Sequence, residues 1–400
     1  MQSWQNALTQ AGTLQSVLRQ QASAAGGWLP FDDFMQAVLY TPGLGYYAHG
    51  SQKFGSLPSR VGANGTLIEG SDFVTAPELS PLFGACVGQQ VAQALQAMNI
   101  GRGMPASTRN VFEFGAGSGA LALQICELLE QTNTALEHYF IIELSASLRA
   151  RQQATLAKWG NRVQWLDTRP ATMQGVVIGN EVLDAMPVKL LVRTAGVWHE
   201  RGVVLQPPGA AQGPGESNSQ AACWAWQDRP THLRPSVDVP GSHDYVTEIH
   251  PQAEAFISTL AGHLTRGAAF FIDYGFPESE YYHPQRHMGT LMCHYQHQAD
   301  PDPLDRIGEK DITAHVNFSG IALAGQDAGL DVLGYANQGR FLMNCGLLER
   351  MGALPPLQRA HAAKLATEHE MGELFKVIAF GKGVDFEPIG FAAGDRIHTL

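Results

Sequence analysis

The sequence predicts an α/β fold with a mostly parallel central sheet, on three observations. Short apolar runs recur along the chain at the intervals typical of strands that alternate with helices. The first of these runs ends in a glycine-rich turn, Gly115-Ala-Gly117-Ser-Gly119, and segments with helical spacing or composition follow this turn and the second run. Alternation of this kind is typical of a parallel sheet that is covered by helices on both faces.

Each element of the sheet follows from its local pattern. After the glycine turn, residues 120–129 have the spacing of a helix, and residues 144–159 have the composition of a second helix. The run that follows Gly267 is typical of a buried strand, and the Lys-flanked run 375–380 is predicted to close the sheet. The predicted parallel strands are 111–114, 139–142, 163–166, 176–178 and 268–273.

The remaining segments suggest additions to this core. Residues 31–40 predict a helix that ends at turn residues, and residues 190–205 alternate like a β-hairpin. The stretch between the last two predicted strands is too long for a simple connection. The predicted organisation is an N-terminal helical cap (1–70), a core (71–205, 240–275 and 370–382), a flexible insertion rich in Pro, Gly, Ser and Gln (206–239), and a substrate-facing inserted subdomain (276–350).

Composition excludes several classes of protein. With 400 residues and 44% hydrophobic content, the chain can bury a large core. A formal charge of -11 and a pI near 5.7 argue against a nucleic-acid partner, because such binding depends on clustered Lys and Arg. Five scattered cysteines argue against a disulfide framework and favour a reducing compartment.

No apolar run reaches the roughly 18 to 20 residues that cross a bilayer, so no membrane span is predicted. The first 31 residues contain no acid but only one cation, Arg19, which fits an Arg-rich transit peptide poorly. We therefore expect a cytoplasmic bacterial protein, or a mitochondrial matrix protein if this segment is a transit peptide. The oligomeric state is not predicted.

The glycine turn predicts a ligand site. Gly115, Gly117 and Gly119 remove the side chains that would collide with a ligand lying over the strand ends. The pattern Gly115-x-Gly117-x-x-Ala120 also satisfies the dinucleotide-binding fingerprint, with Glu143 near the position of its ribose acid. The turn alone therefore leaves a nicotinamide oxidoreductase open.

Two features favour S-adenosylmethionine as the ligand. Glu113 lies two residues before the first glycine, where it would repel a pyrophosphate but attract a cationic amino acid group. Polar residues also end the following strands, where ligands of open α/β sheets bind: Glu143, Asp167 and Asn180-Glu181. Together they predict a class I, Rossmann-like methyltransferase sheet of seven strands with an N-terminal helical segment and an inserted substrate subdomain.

Each strand-end residue has a predicted role. Glu143 can accept hydrogen bonds from both ribose hydroxyls, while Leu144 and Leu166 offer apolar surface to the adenine. Asp167 can accept from the exocyclic amine of adenine, or it caps a helix instead. Asn180 either offers its amide to the cofactor or orients Glu181.

Six motifs carry a resemblance to a known family, and they lie at 75–84, 113–119, 143–145, 180–187, 273–275 and 311–318. Together they resemble the MidA-type methyltransferase family, whose mitochondrial members assist the assembly of respiratory complex I. The resemblance covers residues 28–382, nearly the whole chain, and departs from the family pattern at a Gly-rich insertion in 56–70. It implies an S-adenosylmethionine-dependent enzyme that symmetrically dimethylates an arginine of a complex I subunit. It also implies that Thr75, Pro77 and Glu78 belong to a lid over the cofactor, although Pro77 is equally typical of a helix start.

Methylation of arginine requires acids that hold the guanidinium and remove a proton, because its pKa exceeds about 12. Glu181 and Asp184 are three positions apart, which would place them on one face of a helical turn as a carboxylate pair. We assign Glu181 as proton acceptor and Asp184 as its partner; alternatively, Asp184 caps the next helix. His315 is either a proton relay, a stacking partner of the substrate or a structural residue.

A histidine-rich segment raises the question of a metal. His283, His287, Cys293, His294 and His297 have no regular ligand spacing, so no metal is predicted. With Tyr281 and Tyr282 they are interpreted as a wall that stacks on an arginine side chain.

Three other functions share parts of this pattern. A small-molecule methyltransferase would have the same cofactor residues but a closed cavity. An assembly chaperone would bind the cofactor without transferring its methyl group. A nicotinamide oxidoreductase would require the glycine turn to accept a pyrophosphate, which Glu113 disfavours.

Overall fold

A computed structural model describes residues 12–48, 60–61, 67–68, 75–99, 109–207 and 222–400. The strands are β1 (Trp28–Pro30), β2 (Arg60–Val61), β3 (Leu67–Ile68), β4 (Asn110–Phe114), β5 (His138–Ile142), β6 (Val163–Leu166), β7 (Met173–Asn180), β8 (Lys189–Thr194), β9 (Val197–Gln206), β10 (Cys223–Pro230), β11 (Tyr245–Ile249), β12 (Leu264–Phe276), β13 (Met292–Tyr295), β14 (Gln298–Asp300), β15 (Asp311–Thr313), β16 (Val316–Asn317), β17 (Asp331–Asn337) and β18 (Phe375–Lys382). The α-helices are α1 (Leu14–Ala24), α2 (Phe31–Tyr40), α3 (Ala76–Leu79), α4 (Pro81–Asn99), α5 (Ala120–Gln131), α6 (Ala146–Thr155), α7 (Pro251–His263), α8 (Glu278–Tyr281), α9 (Phe318–Asp327), α10 (Gln338–Asn344), α11 (Leu347–Gly352) and α12 (Pro356–Lys364).

The central sheet has the strand order β17-β18-β12-β7-β4-β5-β6. Neighbours from β12 to β6 are parallel, whereas β18 is antiparallel to both β12 and β17. The α/β class and the mostly parallel sheet predicted from the sequence are confirmed. Seven strands form this path, and the short β16 pairs with β12 beside it.

Helices cover both faces of this sheet, as its apolar strands require. On one face, α4 and α5 pack against buried side chains such as Val111 and Ile178. On the other face, α7 and α9 pack against Phe271 and Val177. Both faces of the sheet are therefore buried against apolar side chains, and the candidate site residues lie where its strands end.

A second sheet lies outside the central one and is antiparallel throughout. In this sheet β9 pairs with β1 and β8 along one edge and with β10 along the other, and β11 pairs with β8. The hairpin expected in 190–205 is confirmed as β8 and β9. Residues of α1 and α2 form a third apolar cluster against this sheet.

Sheet pairing differs from the expected boundaries in three places. β8 and β9 were assigned to the methyltransferase core by sequence position, but they pair in the second sheet, which β1 of the N-terminal segment also joins. β10 is a paired strand inside the expected flexible insertion 206–239, whose residues 208–221 lie outside the described part. β17 lies within 276–350 yet pairs with β18 in the central sheet, which leaves β13, β14 and β15 as a separate small sheet.

Within the described ranges, no helix has the length and apolar character to cross a membrane.

Candidate functional site

A cavity of about 1310 Å³ opens where the parallel strands β4, β5 and β7 end. Backbone from the glycine turn, the segment after β7 and the segment before α9 all contribute to its wall. Most of the residues singled out in the sequence are brought together here, whereas Gly119, Leu166 and Asp167 do not line it. Those that line it are Thr75, Pro77, Glu78, Glu113, Gly115, Gly117, Glu143, Leu144, Asn180, Glu181, Asp184 and His315.

The glycine turn has a backbone that other residues rarely adopt. Gly115, Gly117 and Gly119 have φ of +65°, +51° and +85°. A Cβ on Gly115 would also lie 3.0 Å from the Val182 side chain. Gly119 caps the start of α5 and faces Gln152 of α6, so it shapes the turn without lining the cavity.

Glu113 presents a buried carboxyl group to the cavity. It is 2% exposed, and the Tyr139 hydroxyl donates to its Oε2 at 2.8 Å. Burial raises the pKa of Glu113 to about 7, against the opposing effect of the Tyr139 hydrogen bond. A cation placed beside it would restore its ionised form, which suits an ammonium group and disfavours a phosphate.

Glu143 is held on both of its carboxylate oxygens. The Ser145 backbone N–H donates to Oε1 at 2.8 Å, and Gln152 Nε2 donates to Oε2 at 2.9 Å. Next to it, Leu144 lines the cavity with a side chain that is 81% exposed. An acid that accepts hydroxyl hydrogens and an apolar surface for a planar base are therefore adjacent.

Asp167 lies apart from this cavity. Its side chain is 84% exposed and forms an ion pair with Arg149, whose guanidinium also donates to the Glu143 carbonyl. No helix of the described chain starts at Asp167, so its reading as a helix cap is wrong. The Asp167 carboxylate can therefore turn toward the cavity only if its ion pair with Arg149 breaks.

The segment that contains Pro77 is attached directly to the glycine turn. It forms α3, with Pro77 in its first turn, so the helix start predicted there is confirmed. Gln124 Nε2 donates to the Pro77 carbonyl at 2.8 Å, and the Ser118 hydroxyl donates to Glu78. Pro77 therefore both begins a helix and lines the cavity.

The residues that follow β7 place two carboxyl groups in the cavity. Glu181 has a φ of +53°, a strained value for a residue other than glycine. Asn180 Nδ2 donates to Glu181 Oε1 at 3.0 Å, which favours the orienting role considered for Asn180. Burial, followed by repulsion from Asp184, raises the pKa of Glu181 to about 8.

Asp184 is oriented by a tyrosine of the neighbouring strand. The Tyr274 hydroxyl donates to its Oδ2 at 2.6 Å, while its buried Oδ1 makes no hydrogen bond with the described residues. Burial raises the pKa of Asp184 to about 6. The chain forms a turn here, so neither the expected helical turn nor a helix capped by Asp184 is present.

A third carboxyl group, which the sequence analysis did not identify as a site residue, lines the same cavity as Glu181 and Asp184. Asp311 is 3% exposed and accepts a hydrogen bond from the Tyr47 hydroxyl at 2.7 Å. Tyr40 stacks on Tyr47 and donates to the Ala185 carbonyl at 2.8 Å. We call Glu181, Asp184 and Asp311, with Tyr40 and Tyr47, the acidic wall of the cavity.

His315 lines the cavity between two aromatic rings. Its ring centroid lies 5.1 Å from that of Tyr274 and 5.2 Å from that of Phe276. Burial, followed by repulsion from Arg286 and Lys376, lowers the pKa of His315 to about 4. The imidazole is thus neutral at pH 7, which suits stacking and makes it a weak base.

The expected aromatic and histidine wall is largely displaced from the cavity. Tyr281 and Tyr282 are buried, and their hydroxyls donate to Glu248. Glu248 also accepts from the backbone N–H groups of Thr290 and Leu291, which do line the cavity. Tyr281 and Tyr282 therefore contact the cavity lining through Glu248. Of the histidine-rich set, only His294 lines the cavity.

Comparison with known proteins assigns the chain to a family. Residues 86–336, more than half of the chain, match the family described as "Putative S-adenosyl-L-methionine-dependent methyltransferase". The chain belongs to this methyltransferase family. The cofactor in the description of this family, S-adenosyl-L-methionine, is the one that Glu113 and the strand-end residues predict.

Solved structures and curated relatives agree with this assignment. A Burkholderia thailandensis protein solved with S-adenosyl-homocysteine is 47% identical, with a TM-score of 0.85 over 99% of this chain and 98% of that one. A second structure from this organism is 44% identical, with a TM-score of 0.82 and the same coverage. The mitochondrial protein arginine methyltransferase NDUFAF7 homolog of Drosophila melanogaster is 28% identical, over 93% of this chain and 86% of the relative. The mitochondrial protein arginine methyltransferase NDUFAF7 of Danio rerio is 26% identical, over 90% of this chain and 86% of the relative.

The residues of this methyltransferase fit its cofactor, S-adenosyl-L-methionine. The glycine turn leaves room that a Cβ on Gly115 would fill, and Glu113 offers a buried acid to an ammonium group. Glu143 and Leu144 offer a hydroxyl acceptor and an apolar surface. When bound, this cofactor supplies an electrophilic methyl group on sulfur, and the chain must supply a nucleophile held in line with it.

Proposed function

We propose that this methyltransferase transfers methyl groups to the guanidinium of a protein arginine. One observation carries the proposal: three carboxyl groups, of which Asp184 and Asp311 are buried and Glu181 is half-buried, face one cavity together with the cofactor residues. Acids grouped in this way repel one another when they are ionised, so a cationic partner favours their ionised forms. A guanidinium supplies that charge together with a planar set of N–H donors.

In the proposed reaction, Glu181 and Asp184 hold the guanidinium and localise its positive charge on the nitrogens that lie far from the transferred methyl group. The near nitrogen is the one that faces this methyl group. The near nitrogen attacks the methyl carbon as the bond from carbon to sulfur breaks, and the proton that this nitrogen loses passes to Glu181. Without substrate, a pKa of about 8 leaves Glu181 largely protonated at pH 7, so the guanidinium must displace that proton before the ionised carboxylate can accept another. Tyr274 keeps Asp184 directed at the substrate throughout.

Relatives support the arginine assignment at a distance. Curated proteins that are 24–28% identical across most of this chain carry the name protein arginine methyltransferase. The family resemblance of the sequence motifs extends the proposal to symmetric dimethylation of a respiratory complex I subunit. Neutral His315 is assigned to stacking beside the substrate in this scheme, because a base with a pKa of about 4 is poorly matched to pH 7.

The test replaces Glu181→Gln in the native host and compares arginine methylation by mass spectrometry. We expect one specific dimethylarginine to be lost, because the variant keeps the shape of the site but cannot accept the proton. Its Kd for S-adenosyl-homocysteine should stay within about threefold of wild type, consistent with loss of a transition-state contact. Asp331→Asn, an exposed acid on β17, is the matched control and should leave the modification intact. An unchanged set of methylarginines in the Glu181 variant would refute the proposal.

A further inference from the structure

Gln152 joins three of the segments that form the glycine-turn side of the cavity. The side chain is fully buried. Its Nε2 donates to the Gly117 carbonyl and to Glu143 Oε2, both at 2.9 Å, and its Oε1 accepts from Trp165 Nε1 at 3.0 Å. Only one orientation of the amide satisfies two acceptors and one donor, so these partners fix it.

This arrangement leaves the Glu143 carboxylate little freedom. Gln152 holds Oε2 while the Ser145 N–H holds Oε1, and each oxygen retains a lone pair for a ligand. We propose that Gln152 is a positioning residue for the cofactor, which aligns the Glu143 carboxylate with the ribose hydroxyls and fixes the Gly117 carbonyl. The inference rests on the proposed role of Glu143 and is independent of the methyl acceptor.

Two substitutions separate the contacts of Gln152. Gln152→Glu keeps the volume and the acceptor for Trp165, but it replaces the shared donor with a carboxylate that repels Glu143. Gln152→Met keeps an unbranched side chain and removes all three hydrogen bonds. Thr155→Val is the matched control on the same helix, since the Thr155 hydroxyl donates to the Ser118 carbonyl at 3.0 Å without touching Glu143.

The experiment measures calorimetric Kd values for S-adenosyl-homocysteine and its 2′-deoxy analogue with the intact chain. Wild type should prefer the hydroxyl-bearing ligand by about tenfold, the size of one charge-assisted hydrogen bond. In Gln152→Glu and Gln152→Met this preference should fall below about threefold, while Thr155→Val keeps it. A loss of folding alone would weaken both ligands equally, so the ratio isolates positioning. Retention of the wild-type preference in both Gln152 variants would overturn the proposal.

A double-variant comparison keeps the test decisive if one variant folds poorly. In a Glu143→Ala background, adding Gln152→Met should change the Kd for S-adenosyl-homocysteine by a smaller factor than it does in the wild-type chain, because the carboxylate is gone and only the hydrogen bond to the Gly117 carbonyl remains to be lost. Full additivity of the two changes would contradict positioning through Glu143. Separately, a wild-type preference in Glu143→Ala alone would refute the ribose role of Glu143 and leave the arginine proposal untouched.

Discussion

At the scale of single residues, the site depends on acids whose pKa values are raised toward neutral pH by burial. The pKa of Glu113 rises to about 7 and that of Glu181 to about 8, both chiefly because the carboxyl groups are buried. A nearby cation favours the ionised form of each. Binding of a cationic ligand is therefore linked to proton release, and the direction of this linkage can be measured.

The affinity for S-adenosyl-homocysteine should rise with pH between 6 and 7.5. Without ligand, Glu113 is largely protonated at pH 6 and largely ionised at pH 7.5, whereas the ammonium group of the ligand prefers the ionised acid. Calorimetry should show the Kd falling by up to about tenfold per pH unit below pH 7. Glu113→Gln should bind more weakly, with a flat profile. A flat wild-type profile would contradict contact between Glu113 and the ammonium group.

Residues with a fixed place relative to a backbone signal were predictable from the sequence. Glu113 precedes the glycine turn and Glu143 ends a strand, and both line the cavity. Gln152 has no such signal, because it occupies an ordinary position within α6 and acquires its partners only through folding. Tyr47 and Asp311 are 264 positions apart, so their contact is a product of the tertiary fold.

At the scale of elements, one strand holds the turn that carries the proposed catalytic acids. Asp273 near the end of β12 is 1% exposed, and its Oδ2 accepts from the backbone N–H groups of Val182, Leu183 and Asp184 at 3.1, 2.9 and 3.3 Å. The next residue, Tyr274, orients the Asp184 side chain. The turn after β7 is therefore shaped by β12, which compensates for the positive φ of Glu181.

Asp273→Asn should destabilise the protein by about 1–3 kcal/mol. An amide can present its oxygen to the three turn N–H groups only by turning its own N–H₂ toward the Tyr274 N–H, which now donates to Oδ1 at 3.0 Å. Urea unfolding measures the change. The exposed Asp331→Asn should stay within about 0.5 kcal/mol of wild type, and equal stability of the two variants would contradict the role of Asp273.

Elements were predictable where their apolar runs were continuous. The five parallel strands and β18 have such runs, and all of them pair in the central sheet. β17 has the mixed sequence DVLGYAN, which is not typical of a buried strand. Its place beside β18 is seen only in the pairing of the folded chain. The turn after Asn180 differs from the helical turn that the spacing predicts, because its backbone N–H groups donate to Asp273, a contact that the local sequence does not show.

At the scale of the whole molecule, the cavity is enclosed by parts of the chain that are remote in sequence. Tyr40 and Tyr47 come from the N-terminal segment beside the second sheet, whereas Glu113 and Glu143 follow strands of the central sheet. Met292 and Thr313 belong to the small sheet of β13 to β15. The site therefore requires these parts to be assembled together, and a ligand in it stabilises their assembly.

S-adenosyl-homocysteine should raise the Tm of the intact chain as one cooperative unit. At a ligand concentration of 100 times the Kd, the stabilisation is about 2.7 kcal/mol. The entropy of unfolding typical of a chain this long converts that value to a rise of about 3 °C. Scanning calorimetry should show one transition that moves upward, and Glu143→Ala at the same ligand concentration should move less. A second transition that stays fixed would show that the N-terminal segment and the second sheet unfold independently of the cavity.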